Sequence, residues 1–347
     1  MELQHQEGQA KVIAHVIDAG ICVRCGACVG ICPYFDCFNG KIVVMERCYA
    51  EPSRCAQICP RIAYEPTSPI KNDGAGGEIG EYLKVVMARS SDPGIRNASQ
   101  YGGTVSTLCA HALEKGFIES AILTDRGEGS RAPGGCVAKD QTEVLSCAGS
   151  RYAASGSLSE MNRAVGAGQK NLGVIGLPCQ MEAIARMERA EPKESLMAES
   201  VVLKIGLFCT WALDSEQLAA FLKEKGVVGP VRKFDIPPPP ADEFSVETDK
   251  GREVFPLSEV RPLIQKGCAF CQDMTAELAD IAVGTVEGRE DWNTVLVRTD
   301  AGLSLMESAI ADGSLEIDEL PMDHLNHLKA AAKGKRQRGK QAGARSS

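Results

Sequence analysis

An α/β fold in two unequal parts is what this sequence predicts, and three observations predict it. Eight of its 15 cysteines crowd between Cys22 and Cys59. A stretch rich in proline, glycine and polar residues follows, with Pro66, Pro69 and then residues 72–77. Beyond it, short apolar runs alternate with segments of 3.6-residue period, the pattern of strands and helices that share one sheet. With 347 residues the chain is long enough for one large domain or two ordinary ones. The division expected is a small head over residues 1–66, a linker at 67–79, a larger α/β domain over 80–332 and a tail at 333–347.

Each part has its own justification. In the large domain a helix is expected at about 105–114, where Val105, Leu108, Ala112 and Leu113 keep the helical period, and a strand at 121–124. A buried strand at 172–176, a helix at 181–190, a strand at 201–208 and a helix at 214–225 follow, the last opened by Asp214 or Ser215. Four prolines at 237–240 break the rhythm. Segments 244–247 and 253–257 flank Asp249, Lys250 and Gly251, a hairpin signal. Strands at 281–283 and 294–298 precede helices at 303–311 and near 324–332.

Hydrophobic content of 44% and charged content of 24% are ordinary for a globular protein, so cysteine is the outlier. Glu2, Gln4, His5 and Glu7 give the start neither the basic charge nor the apolar run of a signal peptide, so the thiols read as reduced and the protein as cytoplasmic. The most apolar stretch, 201–213, is 13 residues long and contains Lys204, too short for the roughly 20 residues of a spanning helix. Lys329, Lys333, Lys335, Arg336, Arg338, Lys340 and Arg345 place +7 in the last 19 residues and leave −15 on the remainder. Such a tail suits RNA, anionic lipid or an acidic subunit, and its composition predicts a solvated, disordered end. A body of charge −15 argues against a nucleic-acid partner.

The head carries the most specific motif. Cys22-x2-Cys25-x2-Cys28-x3-Cys32-Pro33 is the spacing by which bacterial two-cluster ferredoxins give three thiolates to one [4Fe–4S] cluster and the fourth to the other. Gly26 and Ala27 keep the backbone close, and Pro33 turns the chain away. Cys55-x3-Cys59-Pro60 then returns Cys59 to the first cluster, which makes its ligands Cys22, Cys25, Cys28 and Cys59. Cys32, Cys48 and Cys55 supply three ligands of the second. The ferredoxin pattern asks for a further cysteine between Cys48 and Cys55, where none stands. Cys37 is the expected fourth ligand; a three-iron cluster or a carboxylate from Glu51 are the alternatives. Zinc sites also use Cys-x2-Cys pairs, but a run of four cysteines closing on proline favours the cluster.

Four cysteines of the large domain fall where loops are expected. Cys179 and Cys209 each follow the carboxyl end of a strand, the edge of an open α/β sheet where ligands bind. Cys268-x2-Cys271 completes a set of four, enough for a third cluster. Cys109 lies on the apolar face of its helix and reads as core. Cys136 and Cys147 lack partners in sequence and receive no role.

Gly176-Leu177-Pro178-Cys179-Gln180, Gly206-Leu207-Phe208-Cys209, Cys268-Ala269-Phe270-Cys271, the segment 276–284, Trp292-Asn293-Thr294-Val295 and Val297-Arg298-Thr299 resemble the family of coenzyme F420 hydrogenase/dehydrogenase beta subunits over about residues 80–305. Within it, the fused two-cluster head and the overall length resemble the electron-input subunit of F420H2 dehydrogenases. The resemblance implies a larger α/β domain that binds FAD beside a [4Fe–4S] cluster on Cys179, Cys209, Cys268 and Cys271. It implies three clusters in all, coenzyme F420 as substrate, and a partner redox subunit or a peripheral complex on the cytoplasmic face of a membrane.

No G-x-G-x-x-G is present, so a Rossmann site for FAD has no support. Gln100, Tyr101, Gly102, Gly103 and Thr104 instead match a family motif ahead of a helix, where free N–H groups and the helix dipole attract a pyrophosphate. Gly149, Ser150, Arg151 and Tyr152 resemble a second motif near the flavin, with Arg151 able to pair a phosphate bidentately. Arg289 and Arg131 are candidates for a basic rim around the deazaflavin tail. The competing readings are a flavin-free adapter that carries electrons between two enzymes, and the beta subunit of a hydrogenase or formate dehydrogenase that reduces F420. The family also contains the flavin module of a sulfite reductase.

Overall fold

The computed structural model describes residues 8–50, 53–62, 77–127, 132–190, 196–238 and 240–344. Glu51, Arg131 and the expected linker up to residue 76 lie outside them.

The fold is mixed α/β. Its central sheet runs in the order Leu315–Asp318, Lys84–Ser90, Asn293–Val297, Ile281–Thr285, Val201–Leu207, Leu172–Gly176, Ser120–Thr124, Gly135–Ala138. The four strands from Ile281–Thr285 to Ser120–Thr124 are mutually parallel, and the outer pairings are antiparallel. Both faces are covered, so Leu172–Gly176 and Asn293–Val297 are buried throughout, and the first reads in sequence as a continuous apolar run. Alternate residues of one strand enter opposite layers: Met87, Ile122 and Leu296 face one core, Ala88, Leu123 and Val295 the other.

The helix boundaries follow from their caps. Asp214 accepts from the N–H groups of Glu216 and Gln217 and opens Ser215–Glu224 as expected. Thr299 caps Asp300–Ala311, which therefore starts three residues ahead of its apolar stripe. The helix expected at 181–190 spans Pro178–Met187, because Pro178 occupies the first turn, where its missing N–H costs nothing. The expected hairpin is present as Glu243–Thr248 and Gly251–Pro256 in a second, three-stranded sheet with Val231–Asp235.

The head is joined to this body as a common core. Val23, Cys25, Ala27 and Ile58 share one apolar cluster with Leu158, Met161, Met181 and Ile184 of the large domain. Asn162, 1% exposed, donates through its amide to Ala27 O at 2.9 Å and Val29 O at 2.6 Å. Arg186 donates to the carbonyls of Cys59 and Ile62 at 2.6 and 2.9 Å, and Arg24 pairs with Asp214.

The end of the chain departs from the disorder expected of residues 333–347. One helix spans Met322–Ala344. Its basic residues are not all solvated: Lys335 is 3% exposed, and Arg336 pairs with Glu277 and donates to Gly77 O at 3.1 Å. Gly339 lies so near the Cys271 carbonyl oxygen that a Cβ would stand 2.8 Å from it. Composition predicts disorder only when charged groups have no partners, and here the partners lie in distant segments. Among the described residues no helix is long and apolar enough to cross a membrane.

Replacing Asn162 by leucine leaves two carbonyls of the head without their donor. At about 1–3 kcal/mol for each buried unsatisfied group, anaerobic denaturant unfolding should show a loss of roughly 2–4 kcal/mol. Limited proteolysis should then release the head first; an unchanged midpoint would refute this account of the junction.

Candidate functional site

Cys22, Cys25 and Cys28 lie on one tight turn in which Arg24 and Gly26 take φ of 58° and 85°. Together with Cys59 they line one pocket, partly open to solvent, walled by Val12, Val16, Ile17, Val23, Ile42 and Ile58. Burial pushes the Cys22 thiol up to about 11 and raises Cys25, Cys28 and Cys59 as well; neighbouring thiols add to the effect on the first three, whereas Arg61 and Arg186 oppose it on Cys59. Four such thiols ionise together only when a metal centre replaces their protons. Among the described residues no three Cys, His, Asp or Glu side chains converge as they would on a single ion. A cavity ringed by four separated thiols suits the larger [4Fe–4S] group better than zinc.

The second set is more open. Burial raises the Cys55 thiol, and Cys32 and Cys48 are the thiols that act on it. Cys37 sits elsewhere, on the strand Phe35–Phe38, where a Cβ on Gly156 would come 3.2 Å from its sulfur. Its charged neighbours are Arg163, Asp36 and Arg24, and it acts on Cys22.

The four cysteines of the large domain meet although they come from three separate segments. Cys179 stands in the first turn of Pro178–Met187 and Cys209 follows Val201–Leu207; Cys268 and Cys271 belong to the 3₁₀ turn Lys266–Phe270 and its cap. The thiols that act on Cys179 are Cys25, Cys271, Cys209 and Cys268. Thus a ligand expected for the first head cluster is a neighbour of the third set. Backbone N–H groups already point at sulfur: Ala212 N lies 3.3 Å from Cys268 Sγ. Burial pushes Cys209 up to about 12.

Lys335 was invisible to sequence reasoning as part of this site. Its Nζ donates to Cys209 O at 2.5 Å. Burial opposes its charge, but Cys209, Cys271 and Asp273 hold its pKa above the ordinary lysine value. Behind it, burial and Asp273 raise Glu277 to about 7 despite Arg336 and Arg298.

The two segments expected near a flavin converge on Asp235, which sequence reasoning also missed. Gln100 Nε2 and the Tyr101 hydroxyl donate to Asp235 Oδ1 at 2.7 and 3.0 Å, while the Tyr152 hydroxyl accepts from Ile236 N at 3.2 Å and lies against Ser150 and Asp235. Burial and the Asp235 carboxylate push both phenols up. Gly103 caps Thr104–Glu114 at φ 71°, and a Cβ on Gly102 would press to 2.8 Å from Asn293 Oδ1. Thr104 N donates to that same oxygen at 3.2 Å. Gln100 Oε1 is buried with no partner among the described residues, an acceptor that a bound donor would satisfy. Arg151 is arranged differently from a free phosphate fork: its guanidinium donates to the carbonyls of Asp125, Cys147 and Ala148. Arg289 is exposed, as a rim residue must be.

Residues 85–161 and 169–323 match the family models for the coenzyme F420 hydrogenase/dehydrogenase beta subunit, N-terminal part and C terminus respectively, and residues 15–35 match a 4Fe-4S binding domain. The chain is similar to coenzyme F420 hydrogenase subunit beta of Methanothermobacter thermautotrophicus, with 33% identity over 241 residues that cover 69% of this chain and 85% of that protein. It is 26% identical over 310 residues to a subunit of the F(420)H(2) dehydrogenase of Methanosarcina mazei, covering 84% and 82% of the two chains. In three dimensions it matches a chain of the xenon-derivatised F420-reducing [NiFe] hydrogenase complex from Methanosarcina barkeri with a TM-score of 0.70 and 29% identity, over 76% of this chain and 92% of that one. On these family matches and this identity, the chain belongs to the family of coenzyme F420 hydrogenase/dehydrogenase beta subunits.

Proposed function

We propose that this protein oxidises reduced coenzyme F420, passing hydride to FAD and single electrons through [4Fe–4S] clusters to a partner redox complex. The observation that carries the reading is the adjacency of Cys25 and Cys179, which makes the head and the large domain neighbours in one electron path. FAD, when bound, supplies the conversion between a two-electron hydride donor and one-electron acceptors. Gln100, Gly102, Gly103, Thr104, Ser150, Arg151 and Tyr152 are the residues proposed to surround it, with Asp235 holding Gln100 and Tyr101 in place. Cys179, Cys209, Cys268 and Cys271 would hold the nearest cluster, and Cys22, Cys25, Cys28 and Cys59 the next.

The chain's own part in the chemistry is to orient, to exclude water and to set potentials. The apolar lining at the first set disfavours water there. Lys335 brings a fixed positive charge to the Cys209 side, which favours the reduced, more negative cluster. On the head, Phe38, Met45 and Tyr49 are 75%, 63% and 88% exposed, and Tyr49 adjoins Cys48. Such apolar groups at the outer end of the path suit a cytoplasmic or membrane-peripheral partner subunit. The reverse reaction, F420 reduction by a hydrogenase or formate dehydrogenase partner, uses the same parts; likeness to a chain of the F420-reducing hydrogenase complex favours it as the second reading.

Anaerobically purified protein should release flavin on acid treatment and reduce a viologen with F420H2. If both are absent, the flavin-free adapter reading stands in its place. For the second cluster we propose Cys32, Cys48 and Cys55 with Cys37 as the fourth ligand on its sequence position. Cys37→Ala should then lower bound iron by one cluster's complement, whereas unchanged iron would move that ligand elsewhere. Lys335→Met should shift the midpoint potential of one cluster negative, by about 59 mV for a tenfold change in the reduction equilibrium. An EPR redox titration reads this directly, and Lys335→Arg should restore most of it.

A further inference from the structure

We propose that Cys136 and Cys147 form a redox-responsive dithiol, separate from the cluster cysteines, which a low-molecular-weight disulfide oxidises to an intramolecular bridge. The two thiols are 3.2 Å apart, Sγ to Sγ, although 11 residues separate them in sequence. Cys136 lies on the edge strand Gly135–Ala138, opposite Leu123, and Cys147 is the cap that ends the helix Gln141–Ser146. Both are half-buried, so a small reagent reaches them, whereas Cys109 behind Cys147 is fully buried. The twelve cysteines assigned to clusters leave only these three, and only these two are both accessible and in contact.

The surroundings divide the roles. Cys147 is hydrogen-bonded with Cys136, has the Ser146 hydroxyl at 3.7 Å and lies near the Arg151 guanidinium. These groups favour its thiolate and lower its thiol to about 7, with the Cys136 hydrogen bond first among the causes. Cys136 shares its hydrogen with that thiolate and stays protonated. Cys147 is therefore the attacking sulfur. Its thiolate forms a bond to one sulfur of the external disulfide, whose S–S bond breaks and releases one thiolate. Cys136 then loses its proton and attacks Cys147 Sγ, expelling the second external thiolate. Counted from the Cys147 thiolate and the Cys136 thiol, the protein has lost two electrons and one proton, and the external disulfide has become one thiol, which carries that proton, and one thiolate. Contact disulfides of this kind in a reducing compartment are typically sensors rather than staples.

The bridge would tie the last strand of the central sheet to the turn at 146–148. That turn supplies the acceptors of two arginines: Arg126 donates to Ser146 O and Ala148 O at 3.0 and 3.1 Å, and Arg151 to Cys147 O and Ala148 O at 2.9 Å each. Oxidation removes one negative neighbour of Arg151, leaving Asp125, and fixes the turn that holds it. A link to flavin retention rests on the function proposed above; the dithiol itself does not.

The test uses anaerobic holoprotein exposed to oxidised glutathione, then alkylated and digested for mass spectrometry, with iron measured in parallel. The expected result is a linked peptide joining Cys136 to Cys147, with iron unchanged. Cys136→Ser should stop at glutathione on Cys147, Cys147→Ser should give neither product, and Cys109→Ser should form the bridge as the parent does. Both cysteines recovered alkylated, a bridge through Cys109, or a bridge formed only as iron is lost would overturn the proposal. Flavin content measured in the same samples tests the link to Arg151 separately: flavin that stays bound in bridged protein ends that link and leaves the dithiol standing.

Discussion

Backbone packs directly on backbone where Gly26 meets Gly156, and a Cβ on Gly26 would stand 2.4 Å from the Gly156 carbonyl oxygen. The rest of the arrangement depends on this approach. It brings Cys25 O within 3.2 Å of Leu158 N, so that the cysteine-bearing turn of the head docks on the first turn of Ser157–Gly166. The same segment seats the helix of Cys179, because Gln180 Nε2 donates to Ser155 O at 3.1 Å and Ser157 Oγ at 2.7 Å. Residues 155–158 therefore act as a common seat, with Cys25 on one side and Cys179 on the other. A side chain at Gly26 would force this junction apart.

Charge explains why the tail is a helix. A buried ammonium is costly alone, yet two opposite charges about 4 Å apart attract by about 4 kcal/mol at an effective dielectric near 20. Lys335 faces Cys209, Cys271 and Asp273 together, so attraction exceeds desolvation and its charge is retained. Arg336 is placed likewise against Glu277, and Arg298 donates to Ile79 O and Thr275 O at 3.0 Å each. A chain with −15 outside its last 19 residues thus brings part of its positive end to the place where thiolates would gather.

What was legible in the sequence was what local rules govern. The ferredoxin spacing is a property of one turn, and the buried strand at Leu172–Gly176 and the cap at Asp214 are each set by a few adjacent residues. Lys84–Ser90 is not legible in the sequence although it is a seven-residue strand of the main sheet, because its two antiparallel partners, Asn293–Val297 and Leu315–Asp318, lie some two hundred residues later. Asp235 was hidden for a related reason: its partners Gln100 and Tyr101 are 135 and 134 residues away. The helical tail was misread because its composition names the charges and not their partners. The contact of Cys136 with Cys147 depends on a strand turning back beside a helix cap, which no spacing rule encodes.

The order of the cysteine sets gives the molecule a direction. Cys179 and Cys209 lie at carboxyl ends of parallel central strands, beneath the tail helix and beside a buried cation. Cys25 is next, in the shared core. Cys48 is farther out, followed by the exposed Tyr49. Cations act on both inner sets, Lys335 and Arg61 on Cys209 and Cys268 and Arg24, Arg61 and Arg186 on Cys22, Cys25 and Cys59, whereas the charges that act on Cys55 are the thiols Cys32 and Cys48. Where buried cations are scarce, solvent must stabilise the added electron, so the outermost set owes its potential to exposure and to whatever covers it. On the function proposed above, a partner that docked over Tyr49 and removed that water would change the potential of the last set without touching the inner two, and docking would itself act on electron exit.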